Sequence, residues 1–170
     1  DEHVVAFWRV VADHHEELLD KWNDYRFSAD GVKAFQQSLY PRNGEPEHLG
    51  ESERAFRRVV LAQSCYSGDP QGGVGEHLRV KDKDNLAARI RSAHGWLAGR
   101  SRITQFDFQR VIEAPGTDVV LYVDPPYFTA GHMYHRDFSE EDHVRLADTL
   151  RHTSHRWILS YDDHPLIRSL

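Results

Sequence analysis

The sequence predicts an α/β fold built on a parallel sheet, and three observations predict it. Val119-Val120-Leu121-Tyr122-Val123 is a continuous apolar run of strand length, and Trp157-Ile158-Leu159 is a second, shorter one. Such runs are the pattern of strands covered on both faces. Helical spacing separates them, with Leu86, Ile90, Ala93 and Leu97 before the first run and Val144, Leu146, Ala147 and Leu150 between the two. Strands that alternate with helices give parallel sheets, whose ligands bind beyond the carboxyl ends of the strands.

Taken in order, Val4, Val5, Phe7, Trp8 and Val11 predict a first helix, apolar nearly all round and therefore packed on several sides. It should break near Asp13, where Asp13 and Glu16 have capping-box spacing and open a second helix carrying Leu18, Leu19 and Trp22. From Arg26 to Gly50 the periodicity is poor, and Pro41, Asn43, Gly44, Pro46 and Gly50 read as loop. A third helix starts at Ser52 and runs through Phe56, Val59, Val60 and Gln63, with Arg54, Arg57 and Arg58 off its apolar stripe. Ser67 to Gly75, with four glycines and a proline, reads as a turn or flexible loop. Beyond the helix at 86–97, Ile103 to Phe106 has the look of a short strand. Ser139 with Asp142 caps the helix between the two apolar runs, and Pro165 suits the first turn of a last helix.

Composition narrows the function classes. The 170 residues are 39% hydrophobic and 28% charged, which is the balance of a globular domain. No apolar run approaches the roughly 20 residues of a membrane span, and nothing near the start resembles a signal peptide. Cys65 is the only cysteine, so no intramolecular disulfide forms and no four-thiolate zinc site exists; a reducing, cytoplasmic setting is expected. The net charge of −6 argues at first against a nucleic-acid partner. It is uneven, however: −5 over 1–30, zero over 31–50, +4 over 51–111 and −5 over 112–170. A local basic segment can face a polyanion whatever the global sum.

The chemistry is carried by Asp124-Pro125-Pro126-Tyr127, followed by Phe128, directly after the apolar run 119–123 and so at a strand's carboxyl end. A double proline explains why the strand stops. It does not explain the flanking carboxylate and aromatic pair. Here the sequence resembles the Dam-type (alpha-group) DNA adenine-N6 methyltransferases, whose catalytic signature is Asp-Pro-Pro-Tyr. The resemblance implies that Asp124 and the Pro125 carbonyl accept the two N–H bonds of the target amine. Pro125 and Pro126 would hold these acceptors in place before substrate arrives, and Tyr127 would stack on an adenine flipped out of the duplex. An exocyclic aromatic amine is a poor nucleophile because its lone pair is delocalised into the ring, so chemistry permits these roles.

The resemblance extends further. Asp107 and Phe108, after Ile103 to Phe106, look like the family's cofactor-adenine segment: Asp107 would accept from the adenine amino group and Phe108 would contact the ring. Asp107 read alone is equally a helix N-cap. His135 to Phe138 and Glu141 to Leu146 resemble the segment after the catalytic loop, so Phe138 would line the cofactor pocket, with Asp124 also bordering it. A staple ahead of the capped helix is the other role open to Phe138. Ser160-Tyr161-Asp162-Asp163 occupies the place of the family's polar motif beside the target-base pocket, and Val5 to Val11 looks like the helix after the second cofactor-binding strand.

The implied organisation is a remnant of the cofactor-binding half at 1–25, a mainly helical DNA-recognition insertion at 26–85, and a catalytic half at 86–170. Arg54, Arg57, Arg58, Arg79, Lys81 and Lys83 are the candidate phosphate contacts. The family's glycine-rich Phe-x-Gly-x-Gly turn and the acidic residue ending its second strand do not occur here. Gly72-Gly73-Val74-Gly75 follows a helix rather than a strand and is no substitute. The chain therefore reads as a Rossmann-like class I methyltransferase sheet truncated at its N-terminus, and this piece alone is expected to bind S-adenosylmethionine weakly or not at all. Double-stranded DNA is the expected partner of a monomeric bacterial or phage enzyme, with room for a restriction endonuclease alongside. Methylation of adenine in RNA, of a protein amide nitrogen, or a non-catalytic DNA-binding remnant are the alternatives. A metal-dependent hydrolase is a further class to weigh, since His132, His135 and His143 lie near Asp137 and Asp142. They lack a His-Glu-x-x-His pattern, and no metal is expected.

Overall fold

A computed structural model describes residues 1–74, 83–129 and 138–170. Arg79, Lys81, Gly75, His132, His135 and Asp137 lie outside the described residues. The chain divides into two compact units, Asp1–Gln105 and Phe106–Leu170.

The first unit is helical. Helices α1 (Glu2–Asp13), α2 (His15–Asp24), α3 (Ala29–Leu39), α4 (Glu51–Ser64) and α5 (Lys83–Leu97) surround one core, with α4 packed against α1, α2 and α3. Val10, Val11, Leu18, Leu19, Trp22, Val32, Leu39, Val60 and Leu61 are buried there almost completely. At roughly 1.5–3 kcal/mol for each large apolar side chain removed from water, this cluster supplies the unit's main driving force. A single 3-10 turn, Tyr66–Gly68, follows α4. The turn region is ordered by Gln36, whose side-chain amide donates to the carbonyls of Pro70 (3.0 Å) and Gly72 (2.8 Å).

Helix α3 corrects the poor periodicity read from Arg26 onward, whereas Pro41, Asn43, Gly44, Pro46 and Gly50 lie outside helix and strand as expected. Ser28 caps α3 by accepting from Gly31 N, and Val32, Phe35 and Leu39 recur at i, i+3 and i+7 toward the core. Gly31 disguises the start. A Cβ there would stand 2.7 Å from the Tyr25 hydroxyl and 2.9 Å from Ser28 Oγ, so any larger residue would force those hydroxyls to shift. The expected Asp13–Glu16 capping box is also absent. Helix α1 runs through Asp13, and α2 begins after His14, an N-cap without a side-chain hydrogen bond. Nor is α1 enclosed all round, because Trp8 remains 42% exposed.

The second unit is mixed α/β. It contains α6 (Phe108–Ile112), β1 (Val120–Val123), α7 (Glu140–His152), β2 (Arg156–Leu159) and α8 (Pro165–Ser169). β1 and β2 form a two-stranded parallel sheet among the described residues, with Val120, Leu121, Tyr122 and Val123 opposite Arg156, Trp157, Ile158 and Leu159. Ser139 and Asp142 make the predicted reciprocal capping box at α7, and Pro165 occupies the first turn of α8. Leu121, Val123 and Leu159 turn toward Ile112, Leu146 and Leu150, so one sheet face rests on α6 and α7.

Two expectations fail in this unit and at its border. The other sheet face is open: Tyr122 is 71% and Ile158 62% exposed, against the two-sided burial read from the apolar runs. Continuous hydrophobicity marked the strands correctly but does not by itself supply a second covering layer. Residues 103–106 form no strand, since no described strand lies alongside to pair with them, and the Ile103 carbonyl instead accepts from Arg9 Nε at 2.9 Å.

Candidate active site

Parallel strands in register end side by side, so β1 and β2 deliver Asp124 and Ser160 to the same sheet edge. The ladder continues one step further, with Ser160 N donating to the Val123 carbonyl at 3.1 Å. Ser160 Oγ then donates to Asp124 Oδ1 at 2.5 Å, a short charge-assisted bond. Asp124 is exposed at the strand end, while Pro125, Pro126 and Tyr127 are half-buried. Phe128 N (3.2 Å) and Thr129 N (2.9 Å) both donate to the Asp162 carboxylate, and the Thr129 hydroxyl adds a third bond at 2.6 Å. The Thr129 hydroxyl is the largest influence holding the Asp162 carboxyl below the usual carboxylate range.

A ladder of rings lies behind this loop. Tyr127 stacks on Tyr161 at 6.0 Å, and the Tyr161 hydroxyl is hydrogen-bonded to His143 Nδ1. His143 contacts Phe128 at 5.3 Å and Phe138 at 4.7 Å, and Phe138 meets Phe108 at 5.7 Å. Burial pushes the Tyr161 phenol up to about 12, helped by the negative Asp162, so it stays protonated. Burial likewise lowers the His143 imidazole, outweighing the nearby Asp162, Asp142 and Glu140 carboxylates, so this histidine is neutral near pH 7. Phe138 sits one residue before the Ser139 cap and packs on His143 in the first turn of α7, which makes it a hydrophobic staple.

Asp107, Phe108 and Phe138 come together as well. Asp107 caps α6 through Gln109 N (3.0 Å) and takes Arg145 Nη1 on the same oxygen at 2.8 Å. The Arg145 guanidinium also lies 4.1 Å from the centre of the Phe108 ring. That guanidinium is the main reason the Asp107 carboxyl lies below its ordinary value. Sequence reasoning weighed His143 only as a metal ligand and missed Arg145 and Thr129. Arg145 could have been found at the i+3 position from Asp142 on α7, whereas nothing local marks Thr129.

The basic residues of α4 have internal partners. Arg54 pairs with Glu2 at 2.7 Å, and Arg57 with Glu47 at 2.6 Å and Glu53 at 2.8 Å. Arg58 lies 4.0 Å from Asp1. The Lys83 ammonium donates to the carbonyls of Trp22 (3.0 Å), Asn23 (3.2 Å) and Tyr25 (2.9 Å), closing the C-terminal end of α2. Arg57 also sits 5.0 Å from the Phe35 ring centre. Replacing Arg57 with alanine should therefore cost about 1–2 kcal/mol of stability, through a half-buried two-carboxylate pair and a lost ring contact. Urea unfolding checks this, and an unchanged midpoint would refute it.

Among the described residues no group of three or more His, Cys, Asp or Glu side chains is placed to hold a metal. No described helix is long and apolar enough to cross a membrane.

A family model described as D12 class N6 adenine-specific DNA methyltransferase matches residues 2–170. The chain belongs to this family. No curated protein matches it. The methyltransferase therefore acts on the N6 amine of adenine in DNA, and the Asp-Pro-Pro-Tyr loop at the end of β1 stands where an α/β sheet places its chemistry. A methyl donor is implied by the family.

Proposed function

We propose that residues 124–127 form the target-amine site, and that S-adenosylmethionine is the methyl donor. The observation that carries this reading is the fixed Asp124 carboxylate at the β1 end, with Oδ1 engaged by Ser160 and Oδ2 left to accept an amine N–H. The Pro125 carbonyl accepts the second N–H. With both hydrogens held, the nitrogen is drawn toward tetrahedral geometry, its lone pair is withdrawn from conjugation with the ring, and the amine becomes a nucleophile. Tyr127, backed by Tyr161, offers a ring face on which a flipped adenine stacks. When bound, the sulfonium cofactor supplies an electrophilic methyl group. The methylated nitrogen would then lose one proton, which Asp124 or solvent can take.

Asp107, Phe108 and Phe138 suit the cofactor's adenine. They combine a half-exposed carboxylate with two adjacent ring faces in one corner of the second unit. We read β1 and β2 as two strands of a Rossmann-like class I sheet, residues 1–25 as part of its cofactor-binding half and 26–85 as the DNA-recognition segment. Phosphate contacts belong to the basic 51–111 segment. Arg89, Arg91, Arg100 and Arg102 are exposed and carry no ion pair among the described residues, which suits them to that role better than the paired α4 arginines.

The full-length enzyme, given tritiated S-adenosylmethionine and unmethylated duplex, should label DNA and yield N6-methyladenine on digestion. Label appearing only in RNA, or none with any substrate, would overturn the assignment of DNA adenine and cofactor.

A further inference from the structure

We propose that the segment following β2 is a clamp on the catalytic loop, in which Ser160 and Asp162 are positioning residues for methyl transfer. The inference rests on the reading of Asp124 as the amine acceptor. A loop with two consecutive prolines is stiff, but it lacks two backbone donors and has few groups with which to anchor itself. Stiffness fixes its shape and not its direction. Direction comes from the neighbouring chain. At the near end, Ser160 binds the loop twice, through its backbone N–H to Val123 and through its hydroxyl to Asp124 Oδ1. At the far end, the first backbone donors beyond Tyr127 both point at Asp162, and Thr129 Oγ1 closes the same carboxylate.

Tyr161, between the two, is tied to His143 and stacked on Tyr127. Three consecutive residues of one strand end thus set the carboxylate, the ring and the exit of the loop. Ser160 selects which Asp124 oxygen faces the substrate. Asp162 keeps the loop from swinging about its proline pair. Neither side chain need touch the adenine or the donor for a small displacement to matter, since reacting geometry is sensitive to shifts of about 1 Å.

The test uses the full-length enzyme under single-turnover conditions on an unmodified duplex, with base flipping read separately on a duplex carrying 2-aminopurine at the target position. Ser160→Ala should lower the transfer rate on the order of 10- to 100-fold, with KM for duplex and donor held within about threefold. The fluorescence rise that reports base flipping should be retained. Ser160→Thr, which keeps the hydroxyl, should recover most of the rate. Asp162→Asn should lose on the order of 10-fold through the weakened cap. In an Asp124→Ala background, Ser160→Ala should cost nothing further, because its effect runs through Asp124. A wild-type rate in both single variants, or an undiminished Ser160→Ala effect in the Asp124→Ala background, overturns the clamp. Full activity in Asp124→Ala itself overturns the assignment of the acceptor instead, so the two failures are distinct.

Discussion

Asp124→Ala in the full-length enzyme should reduce methyl transfer at least about 1,000-fold while leaving the fold intact. Two features set the size of the effect. The variant removes the only carboxylate in the 124–127 loop, so the amine keeps its conjugated lone pair at the moment of attack. The carboxylate also comes preorganised, held at 2.5 Å by Ser160 rather than by mobile water, and preorganised acceptors contribute most of what such sites provide. Stability should change little, since Asp124 is exposed and packs no apolar surface. Single-turnover transfer, run beside a thermal melt, separates the two effects. Retention of a tenth of the activity in a normally folded variant would be incompatible with Asp124 as the amine acceptor. Asp124→Asn, which keeps an oxygen but loses the charge, should fall between the two.

The Asp-Pro-Pro-Tyr loop at the end of β1 was legible because several local signals agree there: an apolar strand run, an abrupt proline stop and an unusual carboxylate beside an aromatic. The capping box at Ser139–Asp142 and Pro165 at the start of α8 were legible for the same reason, being short-range rules with few competitors. What was hidden is non-local. Helix α3 has a sound apolar stripe, but Gly31 in its first turn answers to Tyr25, six residues back, rather than to helix propensity. The α4 arginines look like a basic patch in sequence, yet Glu2 and Glu47 meet them from other elements, and charge counted along a chain takes no account of such partners. The ladder Tyr127–Tyr161–His143–Phe138–Phe108 joins four separate segments. No spacing in the sequence announces it.

The largest stability effect is expected at Trp22, where substitution by alanine should cost about 3–5 kcal/mol. Trp22 is the largest side chain in the protein with no exposure, and it holds α2 against the rest of the first unit's core. Its ring meets Phe27 edge-on at 5.2 Å, while Nε1 donates to the Lys83 carbonyl at 3.3 Å. The exchange runs both ways, because Lys83 Nζ returns to the Trp22 carbonyl at 3.0 Å. One truncation thus opens a cavity of indole size and removes the side-chain hydrogen bond that ties α2 to the start of α5. Trp22→Phe keeps most of the volume but loses the N–H and part of the fused ring, so it should cost about 1–2 kcal/mol. Both variants lose the N–H, so the difference between them measures the packing that a single ring retains. Urea titration followed by circular dichroism reads both, because the first unit carries most of the helix. A loss under about 1 kcal/mol for Trp22→Ala would mean that α2 does not need this side chain to dock, and that the core is held by Leu18, Leu19 and the residues of α4 alone.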